Sequence, residues 1–380
     1  MFRSRPNKIL KLWRKIDFVL LTIVAILSLV GFFFIFGTGR QLGGDFTNFW
    51  QRHLLFIALG IASFLIIISF DYRKLSHCAW IFYSVATAVL FYVLFFGVTI
   101  NDASRWLDLP FFFIRLRLQP AELTKPIAVL FFAWVASRRI MNFNRLWVVI
   151  LYGLAILPPA VLIAMQPDLG TAMVFVGMGV CIAFVAGLSW RLIAVFTAIL
   201  LITLPLAYNL ALEDYQRQRL QTLVNPSEDV SAAGWNAHQA MLAVGSGGTF
   251  GKGYMRGTQH VLGYLPRTVA PTDFIFSVIG EETGFVGAGA LVCAFLALLI
   301  CCLRAAARAP DEFGKLICSG VAAMLFIHVY INIGMSVYMA PIVGLPLPLI
   351  SYGGSSILNI FISVGLVQSV YIRRDTPPPA

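Results

Sequence analysis

The sequence predicts an all-α polytopic membrane protein with about ten transmembrane helices. Both termini are expected to be cytoplasmic, with a large extracytoplasmic loop, residues 213–272, between helices 7 and 8, all within a single transmembrane domain spanning residues 1–380. Three observations carry that expectation. The chain is 59% hydrophobic and 12% charged, more apolar surface than a water-soluble fold can hide. Apolar runs of about 18 to 25 residues, long enough to cross the hydrocarbon core, recur along nearly its whole length. Lysine and arginine are unevenly shared between the two sets of connecting segments.

The spans fall at 16–36, 53–70, 77–98, 123–137, 146–165, 170–188, 192–212, 273–303, 316–339 and 353–372. The first follows a basic stretch, as a signal peptide would, but it is too long and lacks a small-residue cleavage site, so it reads as retained. On one face, the tails and loops at 1–15, 71–76, 138–145, 191, 304–315 and 373–380 hold 17 of the 28 Lys and Arg residues. With its acids counted, including Asp17, that face nets +12 and the opposite face −1. This is a positive-inside pattern. The net charge of +11 is therefore explained by orientation and anionic lipid, and no folded basic module points to nucleic acid. All six cysteines fall within spans or near their cytoplasmic ends, where no extracytoplasmic disulfide is expected.

The cytoplasmic loops are too short to form a domain for a nucleotide or an activated sugar, so any chemistry belongs to the extracytoplasmic side. Polar sequence there is concentrated in 37–52, 99–122 and the 60-residue loop 213–272. The last contains eight glycines between Gly234 and Tyr264, a composition that permits close backbone approach and left-handed turns. Residues 235–244 read as a short amphipathic helix in the interface. GSGGTFGKG resembles a phosphate loop only loosely, because Ser246 stands where the first glycine should be and Gly253 follows Lys252.

Three groups of residues are candidates for chemistry. In LPRTVAPTDFIFSVIGEETGFVG, Asp273 follows Pro271 and Thr272 and precedes an apolar run. It reads either as a helix cap or as a functional acid. Arg267 before it and the embedded Glu281 and Glu282 favour function, since acids inside an apolar helix are costly. In NDASRWLDLPFFFIRLRLQPAELTKP, residues 106–118 alternate apolar side chains with Arg115 and Arg117 and are expected to face lipid headgroups. Trp106 there reads as an interfacial anchor. Glu122 and Lys125, three apart at a helix start, are placed to pair, as a structural cap, a support for a catalytic acid or an anionic-headgroup site. The third group is cationic: Arg217, Arg219, Lys252, Arg256 and Arg267 suit a pyrophosphate, or are simply solvated charges. Asp168 in QPDLG is a candidate turn and cap residue, and Ser351, Ser355 and Ser356 lie in PLPLISYGGSS. The five histidines show no metal-ligand spacing.

SRWLDL, QPAELTKP, QPDLGTAMV, YQRQRL, GWNAHQA with GSGGTFGKGY, PTDFIFSVIGEETG and PLPLISYGGSS occur in that order between 104 and 356. In this set and order the chain resembles the SEDS family (shape, elongation, division and sporulation), and in SRWLDL and GSGGTFGKGY its RodA-type branch. The resemblance implies a peptidoglycan glycosyltransferase of the bacterial inner membrane that polymerises lipid II during elongation. Its site would face the periplasm or cell exterior. It implies as partners an undecaprenyl-pyrophosphate-linked glycan, a class B penicillin-binding protein and the rest of an elongation complex. It makes Asp273 the family's essential loop aspartate and sets Trp106, Glu122, Lys125, Asp168 and Ser355 in family motifs. Such a reaction needs a base for the acceptor hydroxyl and positive charge on the departing pyrophosphate, from Arg217, Arg219, Lys252, Arg256 and Arg267 or a divalent cation (Mg or Mn). No organic cofactor is called for. A flippase or ion-coupled transporter would instead place ionisable groups near the midplane, where this sequence has almost none, and a noncatalytic scaffold is the third alternative.

Overall fold

The computed structural model describes residues 15–100, 103–111, 114–138, 140–195, 197–198, 217 and 232–376. The expected seventh span and the first part of the large loop, Arg219 included, lie almost wholly outside them. The helices are α1 Phe18–Leu42, α2 Phe49–Ser69, α3 Tyr72–Phe96, α4 Pro120–Ala136, α5 Leu146–Met165, α6 Leu169–Val185, α7 Ala232–Ser246, α8 Ile275–Ala307, α9 Glu312–Ser336 and α10 Gly354–Ile372. Seven helices among the described residues are long and apolar enough to cross a membrane. The chain is thus a polytopic helical membrane protein. α9 and α10 are central: 72% and 89% of their most apolar stretches are buried, against 28% for α3.

The all-α expectation fails at one place. Residues 98–100, 103–111 and 114–118 form a three-stranded antiparallel sheet, β1 Val98–Ile100, β2 Ala103–Phe111 and β3 Ile114–Leu118, in the order β1-β2-β3. Leu107 pairs with Leu118 and Pro110 with Arg115. The alternation of apolar residues with Arg115 and Arg117 has a period of two, which suits a strand, and Pro110 would cost a helix one backbone hydrogen bond.

Four aspartates set helix starts. Asp17, Asp71, Asp168 and Asp311 accept hydrogen bonds from the first-turn amides of α1, α3, α6 and α9. Three of them also tie one end of the bundle together: Asp311 binds Tyr72 (2.5 Å) and Arg73 (2.9 Å), Asp17 binds Arg304, and Arg373 approaches Asp71 at 3.6 Å. Residues from the basic tails and loops of the sequence therefore gather at one end. The sheet and residues 247–274 and 340–353 lie at the other, where residues 271 and 272 bond to 352 and 351.

α8 is broken at Gly284, whose φ is +66°. A break inside an apolar helix strands backbone groups that must be paired. The glycine-rich segment pairs them. The amides of Lys252 and Gly253 donate to the carbonyls of Glu281 (3.0 Å) and Glu282 (2.9 Å), and those of Phe285 and Val286 donate to Gly248 (2.8 Å) and Thr249 (3.1 Å). Backbone lies against backbone here: a Cβ on Gly251 or Gly284 would strike the other strand. That approach is why the segment is rich in glycine.

Gly284→Ala should therefore lower the thermal unfolding midpoint of the purified protein, because alanine is strained by about 1–2 kcal/mol at positive φ and also meets Gly251. Gly289→Ala, in open space on the same helix, should be neutral or raise it. Equal midpoints for the two variants would show that the break is not held by this contact.

Candidate active site

Asp273 lies at the end of the bundle opposite the basic one. Its amide donates to Val269 O (3.0 Å), closing a turn, and α8 begins two residues later with Phe274 at the cap position and no capping side chain. The cap reading is therefore not what the backbone shows, in contrast to the four capping aspartates. The residue is half-buried. Gly344 faces it with φ +66°, and a Cβ there would lie 3.3 Å from Asp273 Oδ2.

The segments around Asp273 are joined to the last loop of the bundle. Tyr352 N donates to Pro271 O (2.9 Å), Ser351 Oγ to Thr272 O (2.5 Å), and Asn332 Nδ2 of α9 to Asp273 O (2.9 Å) and Leu345 O (2.7 Å). The Ser351 hydroxyl also accepts from Leu347 N (2.8 Å). This part of PLPLISYGGSS thus grips PTDF.

A second network lies between α4, α9 and α10. Lys125 Nζ contacts Glu122 Oε1 at 2.5 Å and His328 Nε2 at 2.9 Å, and Asn359 Nδ2 donates to Glu122 Oε2 at 3.2 Å. Lys125 is fully buried. An ammonium has only donors, so His328 accepts at Nε2 and donates from Nδ1 to Pro346 O at 3.2 Å. The expected pairing of Glu122 with Lys125 is present, and its burial makes it an internal strut that holds the 346 region. A third link joins motifs far apart in sequence: Gln119 N donates to Ser355 Oγ (2.7 Å) and Gln119 Nε2 to Asp168 Oδ2 (3.1 Å), while Asp168 Oδ1 caps α6 at Thr171 N. Arg105 reaches the carbonyls of Gln166 and Pro167 from the sheet. Trp106 is half-buried in β2, opposite Val98.

The cations are unequally available. Lys252 is committed to Glu281 (2.6 Å) and Thr258 Oγ1 (2.9 Å). Glu281 further accepts from the amides of Thr258 and Gln259, and Glu282 from those of Met255 and Gly257. Both glutamates therefore anchor the glycine-rich segment. Beside them His260 contacts Gln41 Oε1 at 2.7 Å, and burial lowers its pKa below the ordinary histidine value, an effect partly offset by the Glu281 carboxylate. Arg256 and Arg267 are exposed and Arg217 is half-buried. Among the described residues no three His, Cys, Asp or Glu side chains converge on a metal-sized site.

Sequence reasoning passed over His328, Asn332 and Asn359. The signal was present: His328, Asn332 and Ser336 recur every fourth residue in an apolar helix, and Ser355, Asn359 and Ser363 do the same in the next. Such stripes share one helix face.

A helical membrane protein that gathers an acid and arginines at one end has the layout of an enzyme acting at the bilayer rim. The FtsW/RodA/SpoVE family model, described as cell cycle protein, matches residues 14–375. The peptidoglycan glycosyltransferase MrdB of Escherichia coli (strain K12) is 34% identical over 378 residues, which is 98% of each chain. A chain from a solved peptidoglycan synthase complex that coordinates polymerization and crosslinking superposes with a TM-score of 0.79 at 31% identity, covering 95% of this chain and 99% of that one. The crystal structure of Thermus thermophilus rod shape determining protein RodA gives 0.69 at 29% identity, covering 95% and 98%. The chain belongs to the FtsW/RodA/SpoVE family.

Lys125→Ala should cost about 3–5 kcal/mol by leaving Glu122 buried without its counter-ion, with only Asn359 as a partner. The double replacement Lys125→Ala with Glu122→Gln should cost less than the sum of the two single changes. Thermal unfolding of the three variants checks this, and strict additivity would remove the pair from its role as a strut.

Proposed function

We propose that Asp273 is the general base with which this membrane enzyme extends glycan strands. The chain is a peptidoglycan glycosyltransferase of the elongation type. The observation that carries the assignment of the base is that the Asp273 carboxylate is not spent on capping α8, while it is held beside Gly344 at the polar end of the bundle.

The acceptor is lipid II and the donor is the growing strand on its undecaprenyl pyrophosphate. Asp273 takes the proton of the GlcNAc 4-hydroxyl as the new bond to the donor's anomeric carbon forms. The bond from that carbon to the pyrophosphate breaks in the same displacement, and the configuration inverts. Direct displacement with a general base is the pattern of inverting glycosidases; the acid that those enzymes add for the leaving group is not needed here, because cations take up the charge of the pyrophosphate. The exposed Arg256 and Arg267 are the cations offered to the departing pyrophosphate; Arg217 and Arg219 fall in the same loop, and Lys252 acts indirectly by holding the loop through Glu281. A divalent cation, if bound, would be held by Asp273 and would supply charge stabilisation to the departing pyrophosphate.

The chain forms a single transmembrane domain of ten spans in the inner membrane, with both termini in the cytoplasm and the 213–272 loop outside. The +12 against −1 division of charge supports that orientation. Its partner is a class B penicillin-binding protein, a reading supported by the similarity to a chain of a synthase complex.

Asp273→Asn should reduce polymer formation from lipid II by roughly 10² to 10⁴ while leaving the unfolding midpoint unchanged. Near wild-type polymerisation by that variant would end the base assignment. In a background lacking the native cysteines, Thr268→Cys should react with an impermeant maleimide on intact cells and Lys74→Cys only after permeabilisation. The reverse labelling would invert the topology.

A further inference from the structure

Three consecutive carbonyls that lead into α8, those of Pro271, Thr272 and Asp273, each accept from a different donor outside that helix. Ser277 N, which would reach Asp273 O in a regular α-turn, bonds Phe274 O instead and leaves the Asp273 carbonyl to Asn332. Asp273 thus sits on a short non-helical segment whose backbone is held from outside. Two of the donors are side chains, buried Ser351 and fully buried Asn332. Each makes a second bond into residues 345–347, so the base segment and the segment facing it are held by the same two groups. Gly344 lies within that facing segment.

We propose that Asn332 and Ser351 are positioning residues: they set the distance and direction of the Asp273 carboxylate by clamping its backbone to residues 344–347. The proposal rests on Asp273 being the base. The physical argument is one of leverage. A carboxylate on a single-bond stem inherits any shift of its own Cα, and misplacement of a catalytic group by about 1 Å costs up to about a hundredfold in rate. Neither Asn332 nor Ser351 bonds the carboxylate, so their loss should move the base without altering its chemistry.

The test uses the full-length protein copurified with its penicillin-binding partner and fluorescent lipid II as the probe. Asn332→Ala and Ser351→Ala should each lower kcat about 10- to 100-fold, with KM within about threefold of wild type and the unfolding midpoint within a few degrees. The double variant should lose less than the product of the two single losses, because both act on one segment. Wild-type kcat in both single variants, with Asp273→Asn inactive, would overturn the clamp and leave the base standing. Activity in Asp273→Asn itself would instead remove the base reading and the clamp with it. A raised KM at unchanged kcat would assign the two residues to substrate binding, and a collapsed midpoint in Ser351→Ala would assign that hydroxyl to the fold alone; either result overturns the proposal. Should Asn332→Ala fail to fold, Ser351→Ala carries the test.

Discussion

Lys125 carries a full positive charge in a place with no exposure to solvent, and such a charge is tolerated only when paired and hydrogen-bonded. Its partners come from three helices: Glu122 on its own, His328 on α9, and Asn359 on α10 through Glu122. That requirement fixes the mutual rotation of α4, α9 and α10. His328 then passes the constraint outward through its Nδ1 to Pro346, and one turn along α9 Asn332 binds Leu345 and Asp273. A buried charge inside the bundle is therefore connected, step by step, to the acid at the rim.

The rim poses the opposite problem, since chemistry there needs irregular backbone where an apolar environment favours unbroken helix. Non-helical backbone at membrane depth is acceptable only where the protein satisfies it. The chain solves this twice. At Gly284 the glycine-rich segment supplies donors and acceptors to the broken turn, and Glu281 and Glu282 hold that segment's amides in return. At 271–273 and 344–347, side chains from α9 and the last loop do the same.

Spans with sharp polar limits were legible in the sequence: 146–165 agrees with α5 at both ends, and the last begins within a residue of α10. Starts governed by a capping aspartate were less so. The span read from 77 begins at Tyr72 and that from 316 at Glu312, because Asp71 and Asp311 allow charged residues into the first turn. The sheet at 98–118 was missed although its alternation was visible, since alternation beside a membrane also suits an interfacial segment. Of the site, the Glu122 and Lys125 pair could be foreseen from spacing alone. The commitment of Lys252 to Glu281, 29 residues away, could not, because neither local pattern nor charge reveals which distant partner a break in a helix will face.

The same difficulty explains why Asn332 was invisible while Asp273 was not. An acid before an apolar run stands out by cost, whereas an asparagine within one is read as a tolerated impurity. Its meaning comes from geometry: Nδ2 has two hydrogens, and both are used on carbonyls from segments 72 residues apart in sequence, Asp273 and Leu345. An acid could not substitute, since a carboxylate has no donor to offer two carbonyls. An apolar residue would leave the buried Leu345 carbonyl without this partner, at about 1–3 kcal/mol, and would release the Asp273 carbonyl from its tether. Asparagine is thus the residue type that the two converging backbones demand, which is the sense in which the position of the base is written into α9 and the last loop as much as into the segment that bears it.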